Sequence, residues 1–293
     1  MGAISTNKTD SSSSGLQNLL SPIVAEALFV AQERSIMRGL VRNYTMPMNS
    51  GKTLQVPKYA TQSAVDLTEG TDMVNGAADV QVSPGKSDLT VKEVGIMTTL
   101  TDYARNTSES DVISDLGKIF GEAIAKKIDE DLIALFDGFS NTQGDGTGVI
   151  SAARIAESVA TLRTNAVPAT DLACVLHPQI AYDLKANLTN TFANPASGVI
   201  QNEAMASGYV GTLFGVPVFE TNAFSNTGSA GDFKGAVFHR DALGLATMKD
   251  ISIETQRDAT LRADEVVATA VYAVGELHDS YGVELHYDSS IAG

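Results

Sequence analysis

The chain is short of several residue types on which common protein classes depend. It has one cysteine, no tryptophan and an aromatic content of 6%. A single cysteine excludes an internal disulfide and fits a reducing compartment. The scarcity of aromatic rings argues against a stacking platform for sugars or single-stranded nucleic acid. No run of about 18 apolar residues occurs, so the sequence predicts no transmembrane helix and no membrane partner.

Positive charge is scarce as well. The chain has 20 lysines and arginines against 35 acidic residues, which gives a formal net charge of −15. A net negative charge argues against a protein that binds nucleic-acid phosphates through its overall electrostatic field. The negative charge is compatible with a container for nucleic acid, because an acidic inner wall would repel the phosphates and not bind them. The first fifteen residues lack the basic start and apolar stretch of a signal peptide, so we expect none.

The familiar catalytic patterns are incomplete in this chain. The triplet His239-Arg240-Asp241 matches the kinase catalytic loop, but the loop asparagine and an Asp-Phe-Gly segment are missing. The glycines of segment 144–148 lack the dinucleotide-binding spacing, and no Gly-Lys-Ser/Thr phosphate loop occurs, so we predict a flexible turn there. A Gly-x-Ser-x-Gly elbow is also missing. We therefore expect no catalytic residues and no enzyme activity.

Candidate metal ligands are equally sparse. The four histidines are His177, His239, His278 and His286. They form neither a His-x-x-x-His nor a His-Glu-x-x-His pair, and no second cysteine is available. His278 beside Asp279 and His286 near Asp288 could flank a metal, but solvated polar side chains explain such short matches better. Cys174 lies in an apolar run, which is typical of a small buried side chain. We expect no metal, no cofactor and no cofactor-binding residues.

A long amphipathic helix is the strongest local pattern. Between Glu109 and Asp137, apolar residues recur every three or four positions, the spacing of one helical face. The predicted face consists of Val112, Leu116, Ile119, Phe120, Ala123, Ile124, Ile128, Leu132 and Phe136. Ser108 with Asp111 resembles a capping box, and Gly138 suits the helix end. At 1.5 Å per residue this helix would be about 43 Å long.

The chain before this helix is polar and extended. A short amphipathic helix is predicted from Ser21, inside an N-terminal arm. Residues 50–87 contain few core side chains and predict two extended limbs, with Asn75-Gly76 as a candidate hairpin turn. Pro57 limits the first limb to the edge of a sheet. A segment of this kind has little use in a compact enzyme, whereas a protein that reaches neighbouring subunits needs one.

The chain after the long helix alternates between helices and strands. Apolar spacing predicts helices around residues 155–162 and 178–188, with a buried strand at 172–176 between them. This alternation predicts a separate α/β lobe. The β-branched run 265–274 is too apolar for a one-sided strand, so we predict a long central strand that is covered on both faces.

These segments, in this order, resemble the major capsid proteins of tailed bacteriophages, which have the Hong Kong 97-type fold. The matching segments are LTVKEVGIMTTLTDYARNTS leading into DLGKIFGEAIAKKIDEDLIALFDGFS, then ACVLHPQIAYDLKANL, GTLFGVPVFETNAF, and AVFHRDALGLATMKDISIE through to GVELHYD. They are similar to the family's strand and spine helix, its apical strand and helix, its Gly-x-Leu-x-Gly-x-Pro-Val turn, and its peripheral strands. The resemblance extends from about Ser21 to the end of the chain.

The resemblance implies an α+β fold with a set of named parts. The expected division is an N-terminal arm (1–43), an extended loop (44–90), a peripheral domain with the spine helix (91–148), an apical α/β domain (149–249), and strands that complete the peripheral domain (250–293). The extended loop and the arm would lie on adjacent subunits.

The implied function is a major capsid protein. Its copies would form the hexamers and pentamers of an icosahedral shell that encloses double-stranded DNA without sequence-specific binding. The implied partners are further copies of the chain, a portal and a separate scaffolding protein, with a decoration protein possible. The implied location is the virion, after assembly in the host cytoplasm. An encapsulin-like shell around a cargo enzyme is the alternative within the same fold, and a soluble α/β enzyme is the alternative from another class.

Overall fold

The structure, a computed structural model, describes residues 35–49, 51–58, 64, 66, 69–70, 85–107, 112–191, 209–225 and 232–291. Its helices are α1 (Met37–Leu40), α2 (Asp102–Thr107), α3 (Val112–Ile133), α4 (Ala152–Thr164) and α5 (Pro178–Thr191). Its strands are β1 (Arg42–Thr45), β2 (Thr53–Lys58), β3 (Gly85–Thr90), β4 (Lys92–Thr101), β5 (Thr142–Gln143), β6 (Leu172–Leu176), β7 (Tyr209–Leu213), β8 (Val216–Glu220), β9 (Asp232–His239), β10 (Leu243–Asp258), β11 (Ala263–Glu276) and β12 (Gly282–Asp288). The helix predicted from Ser21, the turn at Asn75-Gly76 and the capping box at Ser108 lie outside these residues.

A four-stranded sheet in the order β1-β10-β11-β4 forms the base of the molecule. β11 pairs antiparallel with both β10 and β4, so the predicted long central strand is confirmed. Its side chains Val266, Ala268, Ala270 and Tyr272 are buried in the main core. On the other face Val267, Thr269 and Val271 are only half-buried. The expected cover on both faces is therefore confirmed at one end only, since Ala273, also on this second face, is buried in a small core with Leu89 and Met46.

The spine helix α3 lies across the buried face of this sheet. Its buried apolar side chains include the predicted Phe120, Ile124, Ile128 and Leu132, with Phe136 in the 3-10 turn that follows, and also Ala125 and Ile133, which were not predicted. Ile119 was predicted to join them but is 53% exposed, because it lies at the margin of the apolar arc. The described α-helix of 22 residues is about 33 Å long, and it ends before the predicted position because the chain tightens to a 3-10 helix over Ala134–Gly138.

A six-stranded sheet in the order β5-β12-β9-β6-β8-β7 forms the second half of the molecule. Helices α4 and α5 pack against it through Ile155, Val159, Ile180 and Leu184. This helix-on-sheet packing agrees with the α/β lobe predicted from the sequence. Every residue of β6 is buried.

The two sheets do not follow the expected residue ranges throughout. β12 pairs with β9 in the six-stranded sheet, although the expected division assigned residues 282–288 to the peripheral strands. The expected boundary at residue 249 falls inside the continuous strand β10. Strand identity is a local property, whereas the choice of partner depends on contacts between distant segments, so the pattern of GVELHYD predicted a strand without its neighbour.

The glycine turn after β5 is tightly packed, which differs from the flexible turn predicted there. Gly144 has a φ of 84°, and a Cβ on it would lie 2.2 Å from the carbonyl oxygen of His286. The amide of Gly146 donates to the same carbonyl at 3.1 Å. The glycines therefore allow this turn to lie directly on β12.

β2 and β3 form a two-stranded antiparallel ribbon, the root of the expected extended loop. Pro57 pairs with Lys86 in register, and β3 is the one neighbour of β2 among the described residues. This confirms the prediction that the proline stands in an edge strand.

Candidate assembly elements

The structure brings some of the residues that sequence patterns nominated for chemistry near one another: the rings of His239 and His278 both lie against Tyr281, and Gly144 and Gly146 lie against His286. Within the described ranges, histidine, cysteine, aspartate and glutamate form no group of three able to hold a metal ion. Cys174 is fully buried in β6, and burial raises the pKa of its thiol, which confirms its interpretation as a small core residue. The described helices include none that is long and apolar enough to cross a membrane.

All four histidines contact the chain around them, and His278 stacks on Tyr281 with ring centroids 4.8 Å apart. His239 accepts a hydrogen bond from the amide of Asp241 at 3.1 Å, so the kinase-like triplet is a 3-10 turn at the end of β9. His286 Nε2 lies 2.7 Å from the Asp232 carboxylate. His177 stacks on Phe233 with ring centroids 3.5 Å apart, and burial lowers its pKa.

Asp131 ties the spine helix to one central strand, β11, and one edge strand, β4, of the four-stranded sheet. Its carboxylate accepts from Tyr272 Oη on β11 at 2.5 Å and lies 2.6 Å from Lys92 Nζ on β4. Lys127, one helical turn before it, approaches to 3.1 Å. Burial raises the pKa of Asp131, but these three donors outweigh burial and hold it below its usual range. The orientation of helix on sheet is therefore fixed by a charged node as well as by apolar packing.

Asp129 ties the spine helix to the start of the described chain. Its carboxylate accepts from the Ser35 hydroxyl at 2.7 Å and from the Ile36 amide at 3.1 Å, at the entrance to α1. Burial raises the pKa of Asp129 to about 6, against hydrogen bonds that lower it. Met37 and Val41, next along the chain, are buried in the main core. The segment that leads into β1 is thus fastened to the helix at one carboxylate.

A rigid, exposed tip lies where the β10–β11 hairpin meets α2. Arg257 donates to both carboxylate oxygens of Asp102, at 2.6 and 2.8 Å, and to buried Asp264 at 3.2 Å. The hydrogen bonds to Asp102 and then Asp264 raise the pKa of the guanidinium. Tyr103 and Leu261, at this tip, are 79% and 59% exposed. Arg257 therefore fastens the end of the hairpin to the start of α2.

The sequence patterns did not identify Asp129, Asp131 or Arg257. Each is an ordinary charged residue in a helix or strand, and its role depends on a partner that is distant in the chain, apart from the local ion pair of Asp131 with Lys127. The polar face of the spine helix offered one signal, since Asp129 follows Ile128 directly and lies next to the apolar arc.

Comparison with known proteins assigns the architecture to a family. Residues 86–283, from β3 to the start of β12, match the phage capsid protein family. The major capsid protein of Escherichia phage T7 is 22% identical over 286 residues, with 80% of this chain and 81% of the relative covered.

Solved structures show the same fold. The capsid of cyanophage P-SCSP1u has a TM-score of 0.67 at 19% identity, with 88% of this chain and 89% of that chain covered. The SrpI encapsulin of Synechococcus elongatus has a TM-score of 0.63 at 12% identity, with 89% and 90% covered. The expected α+β, Hong Kong 97-type fold is confirmed. Because the family match extends over more than half of the chain and includes the spine helix and most strands of both sheets, this chain belongs to the phage capsid protein family.

Proposed function

We propose that the chain is the major capsid protein of a tailed phage. Its copies form the hexamers and pentamers of an icosahedral shell that encloses double-stranded DNA. The observation that carries the proposal is the family match over residues 86–283, together with the similarity to a major capsid protein across four-fifths of both lengths. The acidic balance of the chain supports enclosure of DNA without sequence-specific binding.

The proposed division of labour assigns the four-stranded sheet and α3 to a peripheral domain and the six-stranded sheet to an apical domain. The ribbon of β2 and β3 supports the loop that reaches an adjacent subunit. We include a portal and a separate scaffolding protein among the partners, with a decoration protein as a further candidate. Assembly takes place in the host cytoplasm, the finished shell belongs to the virion, and the chain acts without enzyme activity or a cofactor.

An encapsulin-like compartment is the second candidate. One observation favours keeping it: the encapsulin structure matches this chain nearly as well as the cyanophage capsid does, with TM-scores of 0.63 and 0.67. Fold therefore does not separate the two, whereas the family match favours the phage shell.

Electron microscopy of the purified full chain, alone and with a scaffolding protein, tests the proposal. We expect closed shells built from hexamers and pentamers. Shells that contain a protein cargo and exclude DNA would support the encapsulin alternative. A monodisperse monomer in every condition would contradict both.

A deletion tests the role of the loop separately from the fold. Removal of residues 62–82 should leave a subunit that unfolds at nearly the wild-type temperature but forms no stable shell. Replacement of Ile124 by Asp should instead unfold the subunit, because that side chain is buried in the main core. If both variants lose thermal stability equally, the loop is part of the core and the proposed division is incorrect.

A further inference from the structure

Two facing glycines leave a notch in the four-stranded sheet. Gly244 of β10 and Gly275 of β11 are direct cross-strand partners, so their missing side chains lie on the same face. A Cβ on Gly275 would lie 2.5 Å from Leu89 Cδ2, and one on Gly244 would lie 3.1 Å from Leu277 Cδ2. Both distances are shorter than ordinary contact between carbon atoms. The space left by the glycines is therefore filled by two leucines, one of which comes from β3.

Leu89 joins the ribbon to this notch. Its side chain is fully buried in a small core with Met46, Val91 and Ala273. Two residues earlier on the same face of β3, the Ser87 hydroxyl donates to the carbonyl oxygen of Glu276 at 2.5 Å. Contacts at two alternate positions of one strand, Ser87 and Leu89, fix both the place and the direction in which β3 crosses the end of β11.

The partner strand β2 reinforces the same crossing. Its side chains Leu54 and Val56 are half-buried against the same small core. Burial and then Asp279 raise the pKa of Glu276, and Lys58, at the end of β2, lies close enough to that carboxyl to oppose the rise. The ribbon therefore rests on the sheet along its described length, with the apolar contact at Leu89 as the deepest point.

We propose that the notch is a positioning device for the intersubunit loop. Leu89 seated over Gly275 sets the angle at which the ribbon crosses the sheet, and so the direction in which the chain between β2 and β3 leaves the subunit. This inference rests on the proposed function, in which that loop contacts an adjacent copy. An error in direction at the root would be carried along the loop, so shells would fail to close although each subunit is folded.

Three variants and one control test the inference. Gly275→Ala should push Leu89 out of the notch, and Leu89→Ala should leave the notch empty. In the double variant the added methyl group occupies the space that Leu89 vacated, so the core is partly refilled while the ribbon stays unanchored. Gly85→Ala is the matched control, because its Cβ would meet ordinary contacts of 3.9 Å in the same ribbon.

The first measurement compares stability with assembly. Circular dichroism of unassembled subunits should show a lower melting temperature for Leu89→Ala and a partial recovery in the double variant. Sedimentation and electron microscopy should show a loss of most closed shells in all three variants, with no recovery in the double variant. The control should match wild type in both. Shell yield that follows melting temperature across the series would overturn the inference, because the notch would then contribute stability alone.

The second measurement does not depend on assembly. Spin labels at Gln55→Cys on β2 and Glu254→Cys on β10 report the distance between ribbon and sheet, and buried Cys174 stays unlabelled. We expect one narrow distance distribution in the labelled wild type and in Gly85→Ala, and a shifted or broader one in Gly275→Ala. An unchanged distribution in Gly275→Ala would overturn the inference even if wild type formed no shells. Absence of wild-type shells would contradict the proposed function alone.

Discussion

The carboxylate of Asp129 should make the stability of the subunit depend on pH in an unusual direction. Its pKa is raised from 3.8 to about 6 in the folded chain, with burial as the largest cause. An acid with a raised pKa binds its proton more tightly in the folded state than in the unfolded state. Its contribution to stability is therefore full below pH 3.8, declines as the pH rises through 6, and is absent above that.

The size of this effect follows from the two pKa values. The difference between 3.8 and about 6 corresponds to about 3 kcal/mol over the whole titration. Between about pH 5 and pH 8, where the subunit can be handled, the same values give a loss of about 1.4 kcal/mol. For a chain of this size that loss lowers the melting temperature by about 3 °C.

The variant Asp129→Asn isolates this contribution. The amide removes the charge and keeps one oxygen for the hydrogen bonds from Ser35 and Ile36, although one lost acceptor costs about 1 kcal/mol. At pH 8 the variant should be at least as stable as wild type, by up to about 2 kcal/mol. At pH 5 the difference should shrink by about 1.4 kcal/mol.

Chemical denaturation followed by circular dichroism at both pH values checks the prediction, since the chain has no tryptophan for fluorescence. Asp115→Asn, at an exposed position of the same helix, is the matched control and should not change the pH dependence. A difference between Asp129→Asn and wild type that is equal at pH 5 and pH 8 would refute the reasoning. The carboxylate would then be ionised across the whole range.

Three substitutions and one labelling experiment examine the core and the charged contacts of Asp131. Ile124→Asp should lower the free energy of unfolding by about 3–5 kcal/mol, because it buries an unpaired charge. Ile119→Asp is the control: its position is 53% exposed, so the loss in the same denaturation assay should be less than about 0.5 kcal/mol. Tyr272→Phe removes the donor at 2.5 Å from Asp131 and should cost about 1–3 kcal/mol, and an unchanged denaturation midpoint would argue against the node. Cys174 should react with a thiol reagent only in denaturant, and rapid labelling of the native subunit would show that β6 opens.

The sequence predicted those parts of the fold that local periodicity determines. An apolar residue at every third or fourth position determined which face of the spine helix is buried, from Phe120 to Leu132. Among the predicted residues whose burial the structure describes, Ile119 is the exposed one, and it is one residue before Phe120 and hence about 100° away around the helix axis. An apolar residue at the margin of the arc can be exposed or buried, and only the width of the contact with the sheet decides which.

The arrangement of the strands could not be predicted in the same way. β12 has the composition of a strand, but its pairing with β9 joins segments about fifty residues apart and depends on the turn at Gly144 and Gly146, which lies against the carbonyl of His286. A second strand of the lobe, β5, pairs with the opposite edge of β12. Such pairings depend on close approaches between backbones, and sequence spacing carries no information about them.

The contacts that join helices and strands to one another also could not be predicted from the sequence, and the reason concerns function. A catalytic site contains reactive residue types in a recognisable pattern. A contact that joins two helices or strands uses ordinary residue types, and its importance depends only on which distant residue it meets. Asp129 acts through a hydroxyl 94 positions away, and Arg257 through a carboxylate 155 positions away. Gly275 acts by having no side chain beneath Leu89. The function of a capsid protein depends on the geometry of each subunit. Residues that set the angles between helices and strands are therefore as important to it as reactive groups are to an enzyme. Such residues are identified from contacts in the structure, because they form no sequence motif.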